Sequence, residues 1–349
     1  MNKTEAQEKE LVRENTPETP LYLVLTRKEV AEIDAKLEQL FQKQSQYLDQ
    51  HDSALFTKGK KLRPILLILT AKLNAPDLPQ DYIDDKIISI ATSIEMIHIA
   101  SLVHDDIIDR AVERRGAATV NRTQGNGFAM LIGDLQFSEA MNLFVNSLQY
   151  QKDLKLLKSF LKTGYNLCLG EIEDYLAKPV LDTKLLRQRY YQNIQNKTAE
   201  LIEFCCEAGG SLANGTKQQI DLMRNFGRNF GLAFQIIDDI LDFIGDEDLL
   251  GKPTLGDLTQ KRISLPMIYA LESLPERNLV RDILEGHATS SDDIIEAARL
   301  IIHSNGIHKA YDDACLFKER AISALDNYPK SKYKTALEEM LSLVLDQRV

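Results

Sequence analysis

Residues 26–41 read TRKEVAEIDAKLEQLF, and their spacing decides the fold class. Thr26, with Glu29 three positions on, has the form of a capping box. Val30, Ile33, Leu37, Leu40 and Phe41 then recur at three- and four-residue steps, the single apolar stripe of an amphipathic helix. The same period returns outward along the chain. Ser291 with Asp292 and Asp293 opens a segment striped by Ile294, Ile295, Ala298, Ile301 and Ile302, and Tyr333, Leu337, Met340, Leu341 and Val344 make a last apolar face. Longer helical segments are expected near 62–74, 81–109, 127–148, 151–177, 183–212, 217–244 and 263–273. Strand-like alternation with paired turn signals is almost absent. The chain is therefore expected to be all-α: one large bundle of ten or more helices around one core with a central apolar cavity, spanning residues 21–349 as a single domain. Residues 1–20, with Pro17 and Pro20, are expected to form a mobile extension.

Composition narrows the function. The chain has 349 residues, 44% hydrophobic and 27% charged, an ordinary globular balance. Its formal charge is −10 and its pI about 5.3, which excludes a general nucleic-acid binder needing a broad basic face. The four cysteines, Cys168, Cys205, Cys206 and Cys315, lack metal-site spacing and read as reduced thiols of a cytoplasmic protein. The N-terminal residues are polar and unlike a secretory signal. The most apolar window, Ile87 to Val103, contains Glu95 and His98 and runs into charged residues, so stable membrane insertion is not expected.

One long-range repeat carries the chemistry. Residues 102–109 read LVHDDIID and residues 234–242 read FQIIDDILD, each with aspartates at i, i+1 and i+4. On a helix, i and i+4 are neighbours, so Asp105 and Asp109 share a face, as do Asp238 and Asp242; like charges there repel unless a cation lies between them. The surrounding residues are apolar, which places the carboxylates at the end of core-facing segments. Hard oxygen ligands converging this way suit Mg²⁺, which combines one or two carboxylates with waters and substrate phosphates. Basic residues are interleaved around the clusters: Lys58-Gly59-Lys60-Lys61-Leu62-Arg63-Pro64 before ILLIL, Arg114-Arg115-Gly116 after the first cluster, Lys197-Thr198 interrupting a helical segment, and Gly251-Lys252-Pro253 leading to Gly256-Asp257-Leu258 and Lys261-Arg262.

With KGKKLRP, EMIHIASLVHDDIID, ERRG, IGD, GEIED, NKTAEL, FQIIDDILDF and GKPTLGDLTQKRISLP in this order, residues 55–270 resemble the trans-polyprenyl diphosphate synthases. The segment EMIHIASLVHDDIID looks most like the catalytic subunits of heptaprenyl and hexaprenyl diphosphate synthases of Gram-positive bacteria. The resemblance implies that Asp105 and Asp109, supported by Asp106, hold two Mg²⁺ ions on an allylic diphosphate, and that Asp238, with Asp239 and Asp242, holds a third. It implies that Lys60, Arg63, His98 and Arg115 bind isopentenyl diphosphate. Arg114, Lys197, Thr198, Gln235, Lys252 and Arg262 are implied to contact the allylic diphosphate or shape its end of the cavity. Against the family pattern, Lys58 and Lys61 stand for a Gly and an Arg of GGKRLRP. Likewise Lys261, Arg262 and Ser264 stand for the Gly, Lys and Thr of GKxTLP; guanidinium and ammonium are not geometrically equivalent.

In this family, bulky aromatics four and five residues before the first aspartate floor the product tunnel of short-chain synthases. Here those positions are the small Ser101 and Ala100, implying a deeper tunnel and an all-trans product of about C30 to C40. Expected partners are the two diphosphate substrates and a second protein chain, as a homodimer or a heterodimer with a small subunit, with transient membrane contact for product release. The competing readings are a short-chain geranylgeranyl synthase, a catalytic subunit active only with a small non-catalytic partner, a regulatory subunit, a terpene cyclase and an HD-type metal phosphohydrolase built on His104-Asp105. Intact aspartates at both sites argue against lost catalysis. Only His51, His98 and His104 precede residue 287, too few for a histidine-rich metal site.

Overall fold

The computed structural model of the chain describes residues 19–48, 59–75, 85–114, 116–149, 151–176, 182–245 and 254–345. Nearly everything described is helical. The first helix, α1 (Leu21–Lys43), starts five residues before Thr26, behind Pro20. Thr26 is not its cap: its hydroxyl donates back to the Tyr22 carbonyl at 2.7 Å, and Glu29 pairs with Lys72 at 2.6 Å, so both residues of the expected capping box are spent inside the helix. Most of the expected extension, residues 1–18, lies outside the described residues.

The next two helices form the centre of the first half. α2 (Leu62–Asn74) is buried on nearly every face. Its proline, Pro64, sits in the first turn, where no intrahelical donor is lost. α3 (Asp85–Ile108) carries the first aspartate cluster in its last turn. By length and composition it could cross a membrane, with a mean hydropathy of 1.5 over its most apolar window, yet 78% of that window is buried inside the protein. Burying each large aliphatic side chain stabilises by about 1.5–3 kcal/mol, so a helix apolar all round belongs in a core.

A two-residue antiparallel pair, β1 (Glu113–Arg114) with β2 (Ala117–Ala118), turns the chain into the short α4 (Val120–Gln124) and then α5 (Asn126–Asn146). α6 (Leu154–Tyr175) and α7 (Thr183–Ile194) follow. The expected segment 183–212, with its interruption at Lys197-Thr198, is divided by a π-helical turn, Gln195–Ala199, before α8 (Glu200–Leu212). The longest helix, α9 (Lys217–Ile244), is opened by a true capping box, Thr216 with Gln219, and ends in the second aspartate cluster. Beyond it lie α10 (Gly256–Thr259), α11 (Leu265–Ser273), α12 (Leu279–Glu285), α13 (Ser291–His303), α14 (Gly306–Leu325) and α15 (Lys332–Leu345). The cap of α13 is Ser290, not Ser291: its hydroxyl accepts from the Asp293 amide at 3.1 Å.

The expectation of one core is corrected. Buried apolar side chains fall into two clusters, one gathering α1–α3, α5, α6, α8, α15 and the end of α14 (Ala321, Ala324, Leu325), the other α7, α11, α12, α13 and the start of α14 (Ala310, Ala314). α9 joins them, giving Met223, Phe226 and Phe230 to the first and Ile236, Ile237 and Ile240 to the second. It is long enough, at 28 residues, to serve both.

Candidate active site

Three helices end in carboxylates and bring those ends together: α3 with Asp105, Asp106 and Asp109, α6 with Glu171 and Asp174, α9 with Asp238, Asp239 and Asp242. A helix C-terminus already carries about half a negative charge, so acids placed there are unfavourable without cations nearby. Among the described residues the cations are Arg114, which ties Asp106, Lys197, which ties Glu171 and Asp174, and Arg262, which ties Asp109 and Asp257.

Arg114 donates from Nε to Asp106 Oδ1 at 2.7 Å. Asp106 is almost fully buried, with its backbone carbonyl accepting from Asn121 Nδ2 at 3.1 Å. Lys197 Nζ lies 2.7 Å from Glu171 and 2.9 Å from Asp174. Burial alone would lower the lysine pKa, but Asp174 and Glu171 raise it instead. Asp105 lies within the same field. Burial, then the charge of Glu171, push its carboxyl up to about 7 against the opposing pull of Lys197 and Arg114. Arg262 donates from Nη1 to both oxygens of Asp109 at 2.8 Å and from Nε to Asp257 at 3.2 Å. Asp257 is itself pushed up to about 6 by burial and by Asp242.

The second cluster is held differently. Asp239 is buried, its two oxygens accepting from the Tyr190 hydroxyl at 2.7 Å and from Gln235 Nε2 at 2.9 Å. Burial and the charge of Asp257 keep its carboxyl well above the usual range. Gln235 in turn accepts from Thr198 Oγ1 at 2.7 Å, so a hydrogen-bonded chain runs from the π turn to α9. Asp242 accepts from the Gly256 and Asp257 amides at 3.1 and 3.0 Å, fastening α10 to the end of α9. Asp238 is half-buried and lines a cavity of about 20 Å³ with Phe234, Ile237, Leu241 and Val344, room for about one water. The two clusters face one another: one guanidinium spans from Asp109 to Asp257, and the amide of Asp257 rests on Asp242.

The π turn places Lys197 and Thr198. Such turns insert one residue into a helix and occur at functional sites. Neighbouring helices make room for it with glycine. A Cβ on Gly170 of α6 would stand 2.7 Å from Asn196 Cβ, and one on Gly231 of α9 would stand 2.6 Å from Ala199 Cα.

The other expected residues distribute as follows. Lys60 is exposed just before α2, Arg63 is half-buried in its first turn, and His98 is half-buried on α3 about 10 Å along the helix from Asp105. Neighbouring Lys61 is buried and lies 3.8 Å from both Asp34 and Glu95. Ala100 is buried; Ser101 is half-buried and donates to the His98 carbonyl at 2.9 Å. Arg115 and Lys252 lie outside the described residues. Sequence reasoning gave no role to Glu171, Asp174, Asp257 or Tyr190. For the first two the signal was present, since an acid pair at i and i+3 in the last turn of α6 opposes the helix dipole and requires a cation.

The donor set fits Mg²⁺. Among the described residues nine carboxyl groups meet three cations, burial and then neighbouring carboxylates raise Asp105 and Asp257 toward neutral pH, and a guanidinium already stands where positive charge is wanted.

An all-α protein whose facing aspartate clusters are interleaved with Arg and Lys defines a trans-prenyltransferase. The chain belongs to the polyprenyl synthetase family, whose profile matches residues 45–301. It is 32% identical over 326 residues to heptaprenyl diphosphate synthase component 2 of Geobacillus stearothermophilus, covering 92% of this chain and 96% of that one. It is 34% identical over 292 residues to the geranyl-diphosphate-specific all-trans-nonaprenyl-diphosphate synthase of Rhodobacter capsulatus, covering 83% of this chain and 85% of that one. Among solved structures it is similar to the Caulobacter crescentus CB15 polyprenyl synthase complexed with calcium and isoprenyl diphosphate. There the TM-score is 0.82 at 26% identity, covering 95% of this chain and all of the other. The phosphohydrolase reading is thereby set aside, and His104 is engaged elsewhere, 3.3 Å from the Met130 carbonyl.

Proposed function

We propose that the chain condenses isopentenyl diphosphate with an allylic diphosphate, extending an all-trans polyprenyl diphosphate to about C30–C40. Facing carboxylates that outnumber the cations beside them among the described residues carry this reading. Asp105, Asp109 and Asp238 hold the metal, three ions with substrate bound. Asp106, Asp239 and Asp242, each already committed to a donor, fix the helices that carry the other three. Bound Mg²⁺ supplies charge neutralisation of the departing pyrophosphate. Lys197, Arg114 and Arg262 add fixed positive charge on the allylic side, where it stabilises the developing anion in a partly dry site. Thr198 and Gln235 orient that end, and Lys252 completes it. Lys60, Arg63, His98 and Arg115 bind the second diphosphate. The allylic C1–O bond breaks, the double bond of isopentenyl diphosphate attacks C1, and the released pyrophosphate takes the proton lost as the new double bond forms.

Small side chains at Ala100 and Ser101, about one turn before Asp105 on α3, support a tunnel that runs on past them. The heptaprenyl and nonaprenyl synthases among its relatives support a product of that class. Residues 21–349 act as one unit, since α9 is common to both apolar clusters. The assembly in this reading is a homodimer in the cytoplasm. It is formed through the exposed apolar stripe of α6, Leu154, Leu161, Tyr165, Ile172, Tyr175 and Leu176, beside Met130 and Leu131 of α5. Apolar stripes of this extent mark protein interfaces.

The test is to incubate the purified chain alone with farnesyl diphosphate, isopentenyl diphosphate and Mg²⁺, sizing the dephosphorylated products and the protein in parallel. Products of about C30–C40 from a dimer are expected, with shorter products from Ala100→Phe. A monomer inactive until a dissimilar subunit is added would replace the homodimer by the two-component reading, and an unshifted product from Ala100→Phe would remove the tunnel argument.

A further inference from the structure

Of the three cations among the described residues of the site, Arg114 serves the buried middle aspartate and Lys197 serves α6. Only Arg262 sits on a carboxylate that shares the helix face of Asp105. Both Asp109 oxygens accept from its Nη1 at 2.8 Å, occupying the lone pairs a divalent cation would use. The guanidinium is nevertheless releasable. Its side chain is 37% exposed, and its Nε bond to Asp257 gives it a pivot that survives departure from Asp109. The base of the pivot is fixed as well, since the Arg262 amide donates to the Asp257 carbonyl at 2.8 Å. The residue before it, Lys261, has a left-handed backbone (φ 58°), which a side-chain-bearing residue adopts only at a cost.

We propose that Arg262 is a built-in counter-ion of the first cluster in the metal-free enzyme, which metal displaces from Asp109 and diphosphate then accepts. This rests on the assignment of Asp105 and Asp109 to the metal. An arginine fork meets a diphosphate oxygen pair in the same planar, two-pronged way that it meets a carboxylate. Metal and diphosphate are thus coupled through one side chain, and each removes the obstacle to the other. Such couplings run from roughly 5-fold to 150-fold in affinity. Arg262 is a positioning residue here, acting on the metal through Asp109, in addition to any contact it makes with substrate.

The experiment is Mn²⁺ binding in the absence of any diphosphate, read from the free-ion electron paramagnetic resonance signal. It compares the parent chain, Arg262→Gln, Arg262→Lys and Asp105→Asn, each checked for helical content. Arg262→Gln should bind Mn²⁺ about ten-fold more tightly than the parent, within the range of such couplings. Arg262→Lys, which keeps the charge and loses the fork, should fall between them and stands in if the Gln variant does not fold. Unchanged or weaker binding in both Arg262 variants would overturn the proposal. Mn²⁺ binding lost in Asp105→Asn but indifferent to Arg262 would remove this inference and leave the metal assignment standing. Binding indifferent to Asp105 would remove the assignment itself.

Discussion

The two aspartate clusters share one sequence pattern and are compensated by opposite means. Around the first, the partners are long cationic side chains: Arg114 on Asp106, Arg262 on Asp109, and Lys197 acting on Asp105 through the field. Around the second, the partners among the described residues include short-ranged ones: a tyrosine hydroxyl and a glutamine amide on Asp239, two backbone amides on Asp242. Side-chain cations can swing away and be replaced by metal or meet a phosphate. Backbone amides cannot. The first cluster is built for exchange and the second for anchorage, with Asp238 the member of the second that opens onto a cavity.

The largest test of this contrast is kinetic. Asp105→Ala and Asp238→Ala should each lower Mg²⁺-dependent condensation by at least about 10²–10³-fold, the scale of losing one preorganised electrostatic contact. Either variant retaining near-parental turnover in a steady-state assay would break the assignment of its cluster. A smaller effect concerns pH. Asp105 titrates near 7 in the folded protein and near 3.8 when unfolded. Between those values the fold holds a proton that the unfolded chain has released, so stability falls as pH rises through that window. The metal-free protein should therefore lose about 2–3 kcal/mol from this group between pH 5 and pH 8. Asp105→Asn, isosteric with the protonated acid, should be the more stable of the two at pH 8 by chemical denaturation. Equal pH dependence in parent and variant would show that Asp105 is not crowded.

The smallest effect separates the two middle aspartates. Asp106→Asn should destabilise by about 1.5–3 kcal/mol, because it removes a charged partner from Arg114 at a buried position. Asp239→Asn should cost under about 1 kcal/mol, since an amide replaces a carboxyl already held toward its protonated form and the Tyr190 hydroxyl can turn to accept. Equal losses in urea titrations would erase the distinction between exchange and anchorage.

Much of this was legible in the sequence because helical period and aspartate spacing are local signals. Segments 62–74 and 217–244 match the helices residue for residue. The interruption at Lys197-Thr198 is present as the π turn. What stayed hidden was decided through space. Nothing near Thr26 announces that Glu29 will be drawn to Lys72 across the bundle, leaving the helix to start at Leu21. Nothing near Asp239 announces Tyr190, 49 residues away. The commitment of Asp242 to the α10 amides depends on a loop returning to the end of α9, which no periodicity encodes. The division into two apolar clusters was missed for a similar reason, since α9 reads as one uninterrupted stripe.

The π turn at Gln195–Ala199 also bears on how this chain can vary. Deleting one residue there would restore ordinary winding between α7 and α8, but it would remove the local widening that places Lys197 and Thr198. Gly170 and Gly231 would then face gaps instead of Asn196 and Ala199. The surplus residue is therefore held by its fit to two neighbouring helices rather than by the winding of its own.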